Sequence, residues 1–67
     1  MKLLQDIGGK VKSNREIIGM SQEELAHRSN IHRTYLSNIE CGKRNFSITV
    51  LFQIAAALGI EIKDLLE

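Results

Sequence analysis

Apolar residues recur along most of this chain at helical rather than strand spacing. Leu4, Ile7, Val11 and Ile18 fall three, four and seven positions apart, the stripe of a first amphipathic helix. Gly8-Gly9 weakens that helix by roughly 1 kcal/mol per glycine relative to alanine. The pair either frays the first turn or lets another helix pack closely, and Gly19 is the expected stop. Ser21-Gln22-Glu23-Glu24 then fits a capping box, with Ser21 as N-cap and Glu24 three residues on. The second helix carries Leu25 and Ala26 and ends near Ser29, before Asn30, a residue that tolerates the left-handed conformation. A third helix is predicted from about His32 to Glu40, with Ile31, Tyr35, Leu36 and Ile39 on its apolar side and Gly42 as its end. Residues 41–46 read as a loop. Ser47 caps a fourth helix, Ile48 to Leu58, with Ile48, Leu51, Ile54, Ala55 and Leu58 inward. After Gly59, the segment from Ile60 to Glu67 forms a short fifth helix with Ile62, Leu65 and Leu66. The pattern predicts an all-α chain of five short helices forming a single domain over residues 1–67.

The spacing within residues 22–41 is specific. Counting from Gln22, a small residue falls four on (Ala26) and a turn residue eight on (Asn30). Apolar residues fall nine, fourteen and seventeen on (Ile31, Leu36, Ile39). Two short helices crossing closely at a tight turn need this register, which is that of a helix-turn-helix. The segment SQEELAHRSNIHRTYLSNIECGKRNFSITVLFQIAAALGI resembles the phage repressor/Cro-like (XRE-type) helix-turn-helix family, over nearly the whole chain. HRTYLSNIECGKRN, in so short a chain, is also similar to the controller proteins of restriction–modification systems. The resemblance implies a compact five-helix, lambda-repressor-like DNA-binding domain that acts as a homodimer on a palindromic operator and activates or represses transcription. Its implied partners are double-stranded DNA, a second copy and RNA polymerase. Three positions depart from the family pattern. Asn30 replaces the usual turn glycine, Ser29 an apolar residue, and Cys41 an Asn or Arg able to reach phosphate.

Physical chemistry assigns roles on this frame. A helix N-terminus aims unpaired N–H groups at an anion, and Gln22 in the first turn of the second helix can add a side-chain bond to phosphate. The start of the third helix belongs in the major groove. Its outward residues are His32, Arg33, Thr34, Ser37 and Asn38, the candidate base contacts. Arg suits guanine, Asn suits adenine, and the Thr methyl suits thymine. Arg33 is the leading base reader. Lys43, Arg44 and Asn45 follow the third helix, placed for phosphate. Tyr35 either packs in the core or donates its hydroxyl to phosphate. The resemblance adds Asn14 as a backbone contact, and an ion pair of Arg15 with Glu40 that orients the reading helix.

Composition changes this picture in three ways. Nine Lys+Arg against eight Asp+Glu give a net charge of +1, which by itself shows no affinity for nucleic acid. Yet residues 27–46 hold four bases against one acid, Glu40, while residues 53–67 hold one base against three acids. A chain below ~70–80 residues gains little from its core alone, and one cysteine makes no internal disulfide. The single cysteine and two separated histidines form no zinc set, so help from a second copy is expected. Phe52, Ile62, Leu65 and Leu66 are the candidate dimer contacts. No apolar run approaches the ~18–20 residues of a membrane span, and the start lacks a signal-peptide pattern, which leads to the expectation of a cytoplasmic protein with reduced thiols. No cofactor is expected, and no nucleophile–base order or phosphate loop suggests an enzyme. An antitoxin or anti-repressor on the same fold, using the third helix to meet protein, is the alternative; a purely structural helical bundle is the weaker one.

Overall fold

The computed structural model describes residues 2–67 and the side chains of residues 3–67; Met1 of the expected domain lies outside them. Five helices follow in order: α1 (Lys2–Ile17), α2 (Gln22–Ser29), α3 (Arg33–Glu40), α4 (Ile48–Leu58) and α5 (Lys63–Leu66). There is no strand among the described residues. α2 packs on α3 and α4, while α1 crosses α3 and closes against α4 and α5. Leu25, Leu36, Ile39, Leu51, Ile54 and Val11 fill the centre.

Local chemistry sets the boundaries. Ser21 and Ser47 accept from the backbone N–H of Glu24 and Val50 and so start α2 and α4. Glu24 does not close the expected capping box; its carboxylate turns to Arg28, 2.6 Å away and one helical turn on. The first four helices end alike. At α2, the Asn30 and Ile31 N–H groups return to the carbonyls of His27 and Ala26. At α3, those of Gly42 and Lys43 return to Ile39 and Asn38. This paired bonding satisfies the last carbonyls and needs one left-handed residue. Asn30 supplies it at φ 59°, between α2 and α3.

The core differs from the hydrophobic pattern at several places. α1 does not continue its stripe to Ile18. Its inward face is Ile7, Gly8, Val11 and Arg15, at helical steps, and the helix ends at Ile17 so that Ile18 lies exposed in the turn. Arg15 takes the inward place because Glu40 neutralises it. Gly8 settles the choice left open by the glycine pair. A Cβ there would collide with the Ile39 carbonyl oxygen, so the bare backbone lets α1 cross α3. Ile48, expected inside, is outward and 58% exposed. Ile60 and Ile62 precede α5, which is shorter than the expected Ile60–Glu67 helix. Leu65, expected between two copies, has no exposed surface and is a core residue of the chain itself.

Candidate nucleic-acid interface

The turn at Asn30 sets α3 against α2 and α1 so that only one side of α3 is buried. Leu36 and Ile39 are inside, Arg33 and Thr34 are exposed, and Ser37 and Asn38 are half-buried beside them. His32 lies just before the helix rather than in it, and it is the cap: its Nδ1 accepts from the Thr34 backbone N–H at 3.1 Å. The paired bonds at Gly42 end α3 and direct the chain into an exposed run, Lys43, Arg44 and Asn45. Asn45 Oδ1 accepts from the Phe46 N–H at 2.8 Å, which commits its oxygen and leaves Nδ2 as the group to present. Of the two surroundings expected for Tyr35, the core is the one present. Its ring packs against the core as a half-buried side chain, and the Arg44 guanidinium lies 5.3 Å from the ring centre.

Behind this face a polar network joins three helices. Arg15 Nε and Nη2 donate to the two Glu40 carboxylate oxygens at 2.8 and 3.0 Å. Arg15 Nη1 also donates to the Met20 carbonyl at 2.9 Å, holding the α1–α2 turn. Gln22 Nε2 donates to Glu40 Oε1 at 3.0 Å. The Glu40 side chain is only 1% exposed, so its charge is removed from water but matched by a two-pronged cation. The hydrogen bonds that Arg15 donates to Glu40 raise the guanidinium pKa above its ordinary value, against the opposing effect of burial. Arg15's share of the pair's stability is therefore present throughout the range below the ordinary guanidinium value. It is lost only as pH rises through the raised one. The bond from Gln22 to Glu40 had no signal in the sequence, since eighteen positions and a turn separate the two residues. It uses one amide N–H of Gln22 and leaves the other at the start of α2. Asn14 is turned back on its own helix, donating to the Lys10 carbonyl at 2.8 Å.

A second surface lies away from α3. α4 has two polar residues in eleven, Thr49 and Gln53, so it is apolar nearly all round. Its outer stripe runs through Ile48, Phe52 and Ala56, with Phe52 56% exposed. Phe52, Ala55, Ala56, Ile60, Glu61 and Ile62 line a groove of about 300 Å³. Leu66 is exposed on α5, while Leu65 one residue earlier is not.

Comparison with known proteins agrees with this architecture. The helix-turn-helix family model matches residues 11–65. The control protein C.BamHI of Bacillus amyloliquefaciens is 52% identical over 48 residues, 72% of this chain and 59% of that protein. The control protein C.SmaI of Serratia marcescens is 36% identical over 66 residues, 98% of this chain and 79% of that one. The crystal structure of the restriction–modification controller protein C.AhdI from Aeromonas hydrophila superposes with a TM-score of 0.95 at 35% identity. It covers 97% of this chain and 98% of that one. The chain belongs to the XRE-type helix-turn-helix family of DNA-binding transcriptional regulators. It spans about three-fifths of C.BamHI and four-fifths of C.SmaI.

Proposed function

We propose that this protein is a sequence-specific regulator of transcription that binds a two-fold symmetric operator as a homodimer, and that it controls a restriction–modification system. The observation that carries the reading is the charge arrangement on the α3 side. Arg33, Lys43 and Arg44 are exposed there, and the single acid of residues 29–46, Glu40, is buried against Arg15. Along α3 and the loop after it a duplex therefore meets cations and amide donors with no free carboxylate among residues 29–46. Arg33, Thr34, Ser37, Asn38 and His32 face base edges. Gln22, Asn14, Tyr35, Lys43, Arg44 and Asn45 hold phosphates. The likeness to C.BamHI, C.SmaI and C.AhdI supports the restriction–modification assignment. In that role the protein works in the cytoplasm, uses no cofactor and catalyses no reaction, and its activating form also meets RNA polymerase.

Selection of duplexes from a random pool by the purified protein tests the reading. The expected product is an inverted repeat with half-site centres about one helical turn apart, ~34–36 Å. A pool that shows no enrichment removes the DNA-binding role and leaves the protein-interaction alternative. Enrichment of an unrepeated site removes the symmetric dimer.

A further inference from the structure

The cap on α3 fixes the proton of the residue that makes it. A backbone N–H can only donate, and that of Thr34 lies 3.1 Å from His32 Nδ1, so Nδ1 is the acceptor of the ring. In a neutral imidazole one nitrogen accepts and the other carries the hydrogen. The ring is thereby held as the Nε2–H tautomer. Nε2 is on the side of the ring away from the bond to Thr34, and His32 is exposed, so its N–H is directed away from the first turn of α3. An uncapped histidine would interchange its tautomers and offer a donor or an acceptor as the partner required. This one offers a donor only. It stands beside Arg33 and Thr34, at the end of α3 that a helix-turn-helix turns toward the bases.

We infer that His32 is a specificity-determining residue, a one-way donor that accepts a base with a major-groove acceptor and rejects cytosine. The inference rests on the DNA-binding reading above and names the chemistry of one contact within it. Guanine N7 and O6, adenine N7 and thymine O4 all accept in the major groove, whereas the cytosine amino group donates. Two donors facing each other leave both unpaired, so cytosine is the disfavoured base on the strand that His32 faces. The same side chain thus starts the helix and reads from it, and the first task fixes the polarity of the second.

Two measurements test this. Long-range proton–nitrogen spectra of the free protein near neutral pH should show His32 with Nδ1 bare and Nε2 protonated. A ring protonated at Nδ1, or one averaging between tautomers, overturns the inference without reference to DNA. Site selection should then show one position per half-site from which cytosine is depleted. His32→Ser keeps an N-cap but shortens the reach. It should leave the helical circular dichroism and Tm in place while relieving the cytosine depletion by roughly three- to tenfold, the effect of one hydrogen bond. His32→Ala should lose both cap and discrimination. Equal weakening toward every duplex by His32→Ser would make the contact a phosphate and overturn the inference. Unchanged depletion would overturn it too, while the absence of any enriched duplex would overturn this inference together with the DNA-binding reading.

Discussion

Individual side chains on the α3 side divide by what each can recognise. Arg33 is exposed in the first turn of α3 and presents a planar fork suited to guanine. Arg33→Ala should cost ~1–3 kcal/mol at the preferred duplex and flatten preference at one base position. Competition binding with single-base variants checks this, and uniform weakening would reassign Arg33 to phosphate. Lys43 and Arg44 carry charge on a loop, so each should contribute to the salt dependence. Replacing either by Ala should reduce the slope of log K against log salt by about one. An unchanged slope in titrations at several salt concentrations would take that residue off the DNA. A different test concerns Ser29. Its hydroxyl is buried and has no hydrogen-bond partner among the described residues. An unpaired buried hydroxyl is destabilising, so Ser29→Ala should raise stability by about 1 kcal/mol in urea unfolding without altering DNA binding. The outward place of Arg33 was legible in the sequence because the turn register sets it on the open side of α3. What was hidden is how the neighbouring polar atoms are already engaged, as with His32, whose capping role is usually filled by Ser, Thr, Asp or Asn.

Between helices, the reading element is aimed by one close crossing and one polar network. Gly8 lets α1 lie against the last turn of α3, where a methyl group would strike the Ile39 carbonyl. Alanine is the better helix former by roughly 1 kcal/mol. The collision is with backbone rather than a flexible side-chain tip, and overpacking of this kind costs ~1–3 kcal/mol. Gly8→Ala should therefore lower stability on balance, whereas Gly9→Ala, with open space around it, should raise it by up to ~1 kcal/mol. Opposite shifts in Tm for the two neighbours would confirm the crossing; equal shifts would refute it. The network makes a larger claim. Arg15→Ala strands the Glu40 carboxylate with Gln22 alone, and such a loss should cost about 3–5 kcal/mol. Chemical denaturation gives this directly, and a loss below about 1 kcal/mol would show that water reaches the carboxylate. The five helices were legible from caps, stops and apolar spacing, because those signals are local. The inward place of Arg15 was not legible from apolar spacing, which cannot foresee a charge in a core; the family resemblance supplied it together with its partner Glu40, and the pair is there. Ile48 was misplaced for a related reason: α4 is apolar on both sides, and periodicity cannot tell which side faces in.

At the scale of the molecule, α4 is the element through which the proposed pairing of two copies would run. A helix apolar all round is ordinarily covered on both sides, and the core covers only the side bearing Leu51, Ile54, Ala55 and Leu58. The other side, with Ile48, Phe52 and the groove toward Ile62, is open. The molecule measures 26 × 23 × 20 Å, less than the ~34–36 Å between half-sites one DNA turn apart. Two reading helices at that spacing require two copies, and a two-fold pairing through α4 presents the same face from each. Phe52 is 56% exposed, so burying the rest of it against a partner is worth about 1–1.5 kcal/mol per copy, or ~2–3 kcal/mol per dimer. Phe52→Asp should accordingly give a folded monomer by sedimentation velocity, with an unchanged helical spectrum and greatly weakened binding to an inverted repeat. Leu66→Asp, at an exposed position on α5, should shift the same equilibrium. Leu65→Asp provides the contrast: with no exposed surface, it places a charge in the core and should unfold the chain instead. A dimer that survived both Phe52→Asp and Leu66→Asp would locate the interface elsewhere. A folded monomer from Leu65→Asp would show that this leucine belongs to the contact between copies after all.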